Sequence, residues 1–502
     1  VVRLEPERVV LRTKADEWYK SAMPSLDVNQ PFDLFGQFWT PNEAEKQVPG
    51  RLFRTSEGIR IQLFEDLRPG PSYVPRHQDE QDPVFEVVDS PDVDTPLTIH
   101  GRIGELVGKV TAYECVTVQS RSDMFNGGLG EYILAPMGVI FGAHTAGTTQ
   151  VFSGVRMRTA NIDEWASLQG FSSTKGEDGT RGLNYREPSI EPIQLANGAV
   201  LSLNQRAHLE GPHVRGGAMT RDVWFQIQSL PPSTWSAIDG RIVTPLSSLI
   251  TLCLGRENGL VAAQLTFDGE RWVDLVSDHI RSSQPANSRI EGLAGLADLG
   301  LSGVATWLNK VDNLGPLPPV VAHFSSKRAS IKFETELLEM TTVAEGLHAR
   351  LFPDEKRFSD ADCKLISDRV LQAVGDMDVR VVDVLRGMLT HIGEPGYPSR
   401  LKGLARIVEA EIPTICGKVN KWAQVVSNAR NKYAHRTAGF LDEADIDTLF
   451  TVLESLRWLL RCILLLEAGL DSKLLAARLR DLSSYRLFLE RASENIPAVY
   501  RE

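Results

Sequence analysis

Cysteine is scarce and scattered. Cys115, Cys253, Cys363, Cys416 and Cys462 are the only five in 502 residues, odd in number and far apart. No Cys-x-x-Cys or Cys/His cluster exists, which argues against a disulfide framework and a zinc site and points to a reducing cytoplasm. Membrane-length apolar runs are also missing. Residues 132–155 carry no Asp, Glu, Lys or Arg, but Pro136 and four glycines make them strands and turns. In the last third, Arg457, Arg461 and Glu467 interrupt the apolar pattern. The opening residues lack the charged-then-apolar pattern of a secretory signal, and the start on Val1 leaves room for an initiator methionine or short leader. No internal repeat or low-complexity tract is evident.

Several chemistries are absent as motifs. Gly127-Gly128-Leu129-Gly130 has no following Lys-Ser/Thr and reads as a turn. The HLEGPH segment, with His208, Glu210 and His213, lacks the HExxH spacing and has no cysteine nearby, so no metal is expected. Neither a serine nucleophile elbow nor a paired-carboxylate pattern occurs. No cofactor is implied. The net charge of −11 argues against a general nucleic-acid coat.

What is present is a soluble-type composition, 42% hydrophobic and 24% charged, on a chain long enough for two or three domains. The expected class is α+β and multidomain, a β-rich N-terminal half followed by an all-α bundle. Residues 31–170 read as β-rich. Leu52 and Phe53, then Ile59, Ile61 and Leu63, flank Ser56-Glu57-Gly58 as a hairpin. Further strands are expected at 106–118, 131–143 and 150–159, and Asn161 begins a short helix. Ser172 to Glu187 reads as a boundary loop.

Residues 188–330 are mixed. Ala199, Leu201 and Leu203 alternate as in a strand, as do Val223, Phe225 and Ile227. Thr244-Pro245 is expected to open a helix running through Leu254, and Val320–Phe324 to form a last strand after the Gly315–Pro319 breaker. From 333 to 491, apolar stripes such as Leu337-Met340-Ala344-Leu347-Leu351 and Leu449-Leu453-Leu456-Leu460-Ile463 predict six or seven helices with core-facing sides.

One hexapeptide carries chemistry. Arg430-Asn431-Lys432-Tyr433-Ala434-His435 places a permanent cation five residues before a side chain that titrates near neutrality. Arginine offers a planar fork of donors to phosphate oxygens. Histidine can take or give a proton during phosphodiester cleavage. The spacing alone decides little, because Arg386 and His391 repeat it. Residues five apart on one helix point about 140° away from each other, so either pair meets only at a helix end or with a second subunit. Gly439 and Leu441-Asp442-Glu443 favour an end after one pair, Gly393-Glu394-Pro395-Gly396 after the other. The simpler structural role for such a pair is an arginine bonding a carbonyl near a helix C-terminus and a histidine capping it. Around the hexapeptide, Gly396 to Phe440 holds eight Lys/Arg against Glu409 and Glu411, which suits an RNA backbone or a solvated helix face.

The segment SNARNKYAHRTAGF followed by DTLFTVLESLRWLLRCILLLEAGL resembles the RNA-cleaving HEPN domain, whose Arg-x4-6-His usually has a polar residue after the arginine. Asn431 fits that position and Gly387 does not. TTVAEGLHARLF resembles the first helix of the ApeA-like branch. FWTPNEAEKQVPGRLFRTSEGIRIQLF, TIHGRIGELVGKVTAYECV and FSGVRMRTANIDEWA resemble the ApeA N-terminal domain in order and spacing. The resemblance implies a β-rich N-terminal domain (31–170), a mixed middle domain (188–330) and a HEPN domain (333–491). It further implies an anti-phage endoribonuclease of abortive-infection type, independent of metal, that pairs its motifs across a homodimer. In that reading Arg430, His435 and Asn431 are catalytic, and Lys432, Arg436 and Lys421 hold RNA. A phage-derived trigger would act on the N-terminal domains, without membrane involvement. His391 and His348 are expected to be structural. The competing classes are a non-catalytic HEPN interaction protein and the toxin of a HEPN/nucleotidyltransferase pair.

Overall fold

The computed structural model describes residues 30–68, 72–75, 85–89, 95–104, 108–121, 131–175, 181–213, 216–280, 292–326, 333–434 and 443–501. The chain divides into two compact units. Of the described residues, one gathers those up to Arg158 with Leu230–Ser236 and those from Leu260 to Ile280, and the other holds the rest.

In the first unit, alternating apolar residues build a closed barrel. Its strands are β1 (Asp33–Trp39), β2 (Val48–Thr55), β3 (Gly58–Leu63), β4 (Leu97–Ile103), β5 (Gly108–Arg121) and β6 (Glu131–Ala135). All neighbours pair antiparallel, in the order β1-β2-β3-β6-β5-β4 and back to β1. Phe38, Leu52, Ile59, Ile61, Leu63, Ile99 and Val110 point inward and are buried together. The expected hairpin is present, with Gly58 at φ +121° where a side chain would also strike the Asp278 carboxylate. Asp278 uses that space to accept the Ile59 N–H at 2.9 Å. β5 is shared between two neighbours. Its Val110–Tyr113 stretch pairs with β7 (Gly138–Phe141), and beyond Cys115 it pairs with β6. Glu114 lies between the two stretches at φ +50°, a conformation that turns the strand from one partner to the other. β7 continues through β9 (Trp272–Val276) to β8 (Leu260–Thr266).

The second unit carries a long hairpin, Val200–His213 with Gly216–Gln228, and nearly all the helices. Both faces of the second hairpin strand are buried at its end, since Trp224 and Gln226 are buried as well as Phe225. Ser172–Glu187 is not a plain loop: Phe171–Lys175 pairs with Arg181–Tyr185 as an exposed hairpin.

Helix α1 (Thr244–Leu254) is all but fully buried. The helical path starts earlier than expected, at Trp235, and passes through a π-helical turn at Asp239–Val243 before Pro245. The wider turn accommodates a ring that would collide with the carbonyl of an ordinary preceding turn. The Trp235–Leu254 stretch is the one described helix long and apolar enough to cross a membrane, and 67% of that window is buried inside the fold.

After α2 (Leu296–Asn309), α3 (Leu317–Ser326) replaces the strand expected at Val320–Phe324. Pro318 and Pro319 stand in its first turn, where no intrahelical N–H bond is lost, so they open a helix instead of ending one.

Eight longer helices follow among the described residues, where periodicity suggested six or seven. They are α4 (Phe333–Leu351), α5 (Asp360–Ala373), α6 (Val379–Thr390), α7 (Tyr397–Glu409), α8 (Val419–Ala434), α9 (Glu443–Glu467), α10 (Ser472–Asp481) and α11 (Ser483–Asn495). The stripes of α4 and α9 face inward as their spacing requires, except for half-buried Leu351 at the end of α4, and these helices pack on each other and on α7. Two buried arginines of α9 have distinct partners. Arg457 donates to Glu336 of α4 through Nε at 2.8 Å, and also bonds Glu454. Arg461 donates to the carbonyls of Leu252 (2.6 Å) and Cys253 (3.3 Å), closing the C-terminus of α1. Gly255, at φ +64°, leaves the space the guanidinium needs.

Candidate active site

Helix α8 buries Trp422, Ala423, Val426, Ala429 and Tyr433, a stripe with the three-and-four spacing of one helix face. Trp422 anchors it deeply, donating its indole N–H to Ser455 Oγ at 3.0 Å. Arg430 flanks this stripe in the last described turn of α8. Its side chain is 28% exposed, enclosed on one side and open on another.

Two distant parts of the chain hold the guanidinium. Nη2 donates to Glu345 Oε2 of α4 at 2.8 Å. The Tyr397 ring, at the start of α7, lies 4.2 Å from Cζ. The first contact is a charge-assisted hydrogen bond and the second a cation–π stack, worth about 0.5–1 kcal/mol each at a partly solvated site. Their larger effect is orientation. One amino group is bonded and one face covered, while Nη1 and Nε have no partner among the described residues. Burial pushes the Tyr397 phenol well above the usual tyrosine range, against the opposing pull of Arg430, so it remains protonated and serves as an aromatic face.

The remaining sequence-derived site residues fall as follows. Asn431 is exposed and Lys432 half-buried, both beside Arg430 in the chain. Lys421 is exposed nine residues earlier, half a turn round α8 from Arg430, so these two share no face. His435 and Arg436 lie outside the described residues, as does the helix stop proposed at Gly439 and Leu441-Asp442. Neither Glu345 nor Tyr397 was expected from sequence. Glu345 sits inside the TTVAEGLHARLF segment, but 85 residues separate it from Arg430 and no local pattern links them.

The duplicate pair has a different setting. Among the described residues Arg386 reaches only Asp383, one turn back on its own helix, at 2.6 Å. His391 Nδ1 lies 2.7 Å from Glu394, whose carboxyl this hydrogen bond holds below the usual range. His208 pairs with Asp222 at 3.2 Å, and the side chains of Glu210 and His213 lie outside the described residues. Among the described residues no three His, Cys, Asp or Glu side chains group as metal ligands. The Gly127–Gly130 segment is likewise outside them.

Family comparisons agree with this architecture. Residues 338–474, which contain Arg430, Glu345 and Tyr397, match the Apea-like HEPN domain, so the helical half is a HEPN bundle. Residues 33–277 match ApeA N-terminal domain 1. With both segments in order, the chain belongs to the ApeA-like proteins, and the two matches support a defence-related HEPN effector. No curated protein and no solved structure matches the chain.

Proposed function

We propose that the chain is an anti-phage effector whose HEPN domain cuts RNA without a metal ion, working as a homodimer. The observation that carries this reading is the guanidinium of Arg430, held by Glu345 and Tyr397 with donors to spare inside the HEPN-matched segment. Such a group is already aimed when a phosphate arrives and needs no reorganisation to meet developing charge.

In the proposed reaction the ribose 2′-oxygen attacks the adjacent phosphorus. The 2′-O–P bond forms, the P–O5′ bond breaks, and the 5′ oxygen leaves with a proton. His435 takes the proton from the 2′-hydroxyl or supplies one to the leaving oxygen. Arg430 neutralises the phosphorane-like charge, and Asn431 orients the histidine or the phosphate. Lys432, Arg436 and Lys421 contribute backbone phosphate contacts, with Lys421 serving a more distant stretch of the strand. DNA lacks the attacking hydroxyl and is excluded as substrate. The N-terminal segments 31–170 and 188–330 are assigned to sensing an infection cue or restraining the nuclease, since an unregulated ribonuclease harms its host. The HEPN segment is assigned to 333–491 and the setting to the cytoplasm.

The test is end analysis of RNA incubated with the purified full chain in EDTA. Cyclic-phosphate and 5′-hydroxyl ends are expected from wild type and none from His435→Ala. Undiminished cutting by that variant would remove His435 from the mechanism.

A second reading has one observation in its favour. Met377, Val381, Val384 and Met388 form an exposed apolar stripe, as an interaction module would need. A non-catalytic protein of this kind would slow growth on overexpression equally with and without Arg430→Ala. The toxin reading instead requires a neighbouring nucleotidyltransferase antitoxin.

A further inference from the structure

Helices α4 and α7 meet at Arg430 through Glu345 and Tyr397, and both continue away from it in the chain direction. One to two turns further, where α4 ends, they frame an open cavity of about 650 Å³. Leu351, Phe352 and Glu355 line it from the α4 side, and Gly403, Arg406 and Ile407 from α7. The volume falls within the range of roughly 300–1,000 Å³ usual for small-ligand sites. Six residues of helix separate Glu345 from Leu351, about 9 Å along the axis. A nucleotide adjoining a phosphate on Arg430 reaches that far.

The wall chemistry is selective. Phe352 supplies an aromatic surface and Leu351 and Ile407 apolar edges, which suit the face of a base. Asp354 and Glu355 place two carboxylates at the rim, which repel a phosphate. Arg406 stands opposite on α7. Beneath the floor lies His348, only 1% exposed, its ring 4.9 Å from that of Phe352. Its Nε2 approaches Glu355 Oε2 at 3.0 Å. Burial lowers the His348 pKa, Glu355 opposes this and Arg400 reinforces it, so the imidazole is neutral at neutral pH. A Cβ at position 403 would fall 2.7 Å from His348 Nε2, so a glycine there lets α7 lie directly on the imidazole. The Glu355 side chain is therefore backed by a packed, uncharged ring.

We propose that this cavity is a guanine subsite for single-stranded RNA. Guanine alone among the four bases presents two adjacent donors, N1–H and N2–H, on its pairing edge, matching the two oxygens of Glu355. Its O6 and N7 acceptors suit Arg406, and its face suits Phe352. Adenine, cytosine and uracil each offer a carboxylate one donor on that edge. The placing of the cut beside this base rests on the ribonuclease reading; the base contacts do not.

Binding decides between them without turnover. Short single-stranded oligonucleotides with 2′-fluoro sugars, which the proposed reaction cannot cut, are titrated against the full chain with G, A, C or U at one position in an otherwise uniform sequence. Guanine is expected to bind about tenfold tighter than the other three, with inosine between because it lacks the 2-amino group. Glu355→Gln is expected to erase the preference, so that all four bases bind within about twofold of one another. Equal affinities for all four bases, or an unchanged preference in Glu355→Gln, would overturn the proposal. Cleavage mapping separates the two readings. A chain that prefers guanine but cuts no RNA sinks the nuclease and keeps the subsite. A chain whose cut positions ignore guanine, in wild type and Glu355→Gln alike, sinks the subsite and keeps the nuclease.

Discussion

Arg386 and Arg430 open two copies of the same five-residue spacing, and the fold treats them in opposite ways. Arg386 stands on α6, a helix with no buried residue, is 61% exposed and is paired with the preceding turn of its own helix. Helix α6 packs chiefly on α5, which buries nothing either, and both depend on local devices. Ser359 caps α5, and Asp378 caps α6 through the Arg380 N–H at 2.9 Å. Arg430 stands on a helix whose apolar face is sunk into the bundle, and side chains 33 and 85 residues away converge on it. An ion pair within one turn forms wherever the helix forms. A guanidinium clasped from two other helices exists only in the assembled fold, and that distinguishes a positioned group from a solvated one.

The contrast can be broken at several levels. The largest effect is expected in the motifs themselves. His435→Ala should lower RNA cleavage by about 10²–10⁴-fold and Arg430→Ala by about 10²–10³-fold, whereas His391→Ala and Arg386→Ala should stay within about twofold, all measured as initial rates. Equal losses at both copies would erase the distinction. Next come the helices that bear them. Trp422→Ala should destabilise the protein by about 3–5 kcal/mol, and Val384→Ala on α6 by no more than about 0.5 kcal/mol, read from urea midpoints. A smaller change concerns the clasp. Glu345→Gln and Tyr397→Leu should reduce kcat about tenfold with little change in KM, and Tyr397→Phe should restore it, because the ring and not the hydroxyl meets Arg430. Asp383→Asn, the matching change on α6, should leave both constants alone.

The smallest expected effect is a pH dependence at His348. Its folded pKa lies below the unfolded value near 6.5, so the unfolded chain binds the extra proton first. Its contribution is complete above pH 6.5 and is lost as pH falls from there toward the folded value. Melting temperatures should therefore decline below pH 6.5, and His348→Gln should flatten that decline.

The sequence made the architecture legible where one periodicity dominated. Ile59-Ile61-Leu63 alternates because one strand face fills the barrel, and the α9 leucines recur at three and four because one helix face fills the bundle. It misled where proline stood. Pro318 and Pro319 read as breakers, but in a first turn their missing N–H costs nothing, and Pro245 is absorbed by a π-helical turn. It also could not show that β5 has two partners on one side, since the turn at Glu114 has no residue-type signature. At the candidate site, Arg430 stood out through family likeness, not spacing. Glu345 and Tyr397 were invisible because tertiary packing alone brings them to the arginine.

Arg461 carries a consequence for how this chain can be taken apart. Its charge is seated in the core, and the carbonyls that receive it close a helix belonging to the segment that matches the N-terminal family domain. Burial draws its pKa down to about 10. Severing the chain between the two matched segments strands that cation in an apolar interior and uncaps α1 in the same stroke. A HEPN fragment expressed alone therefore reports on a damaged bundle, and swaps between homologous proteins must carry residues 244–255 along with the helix that plugs them.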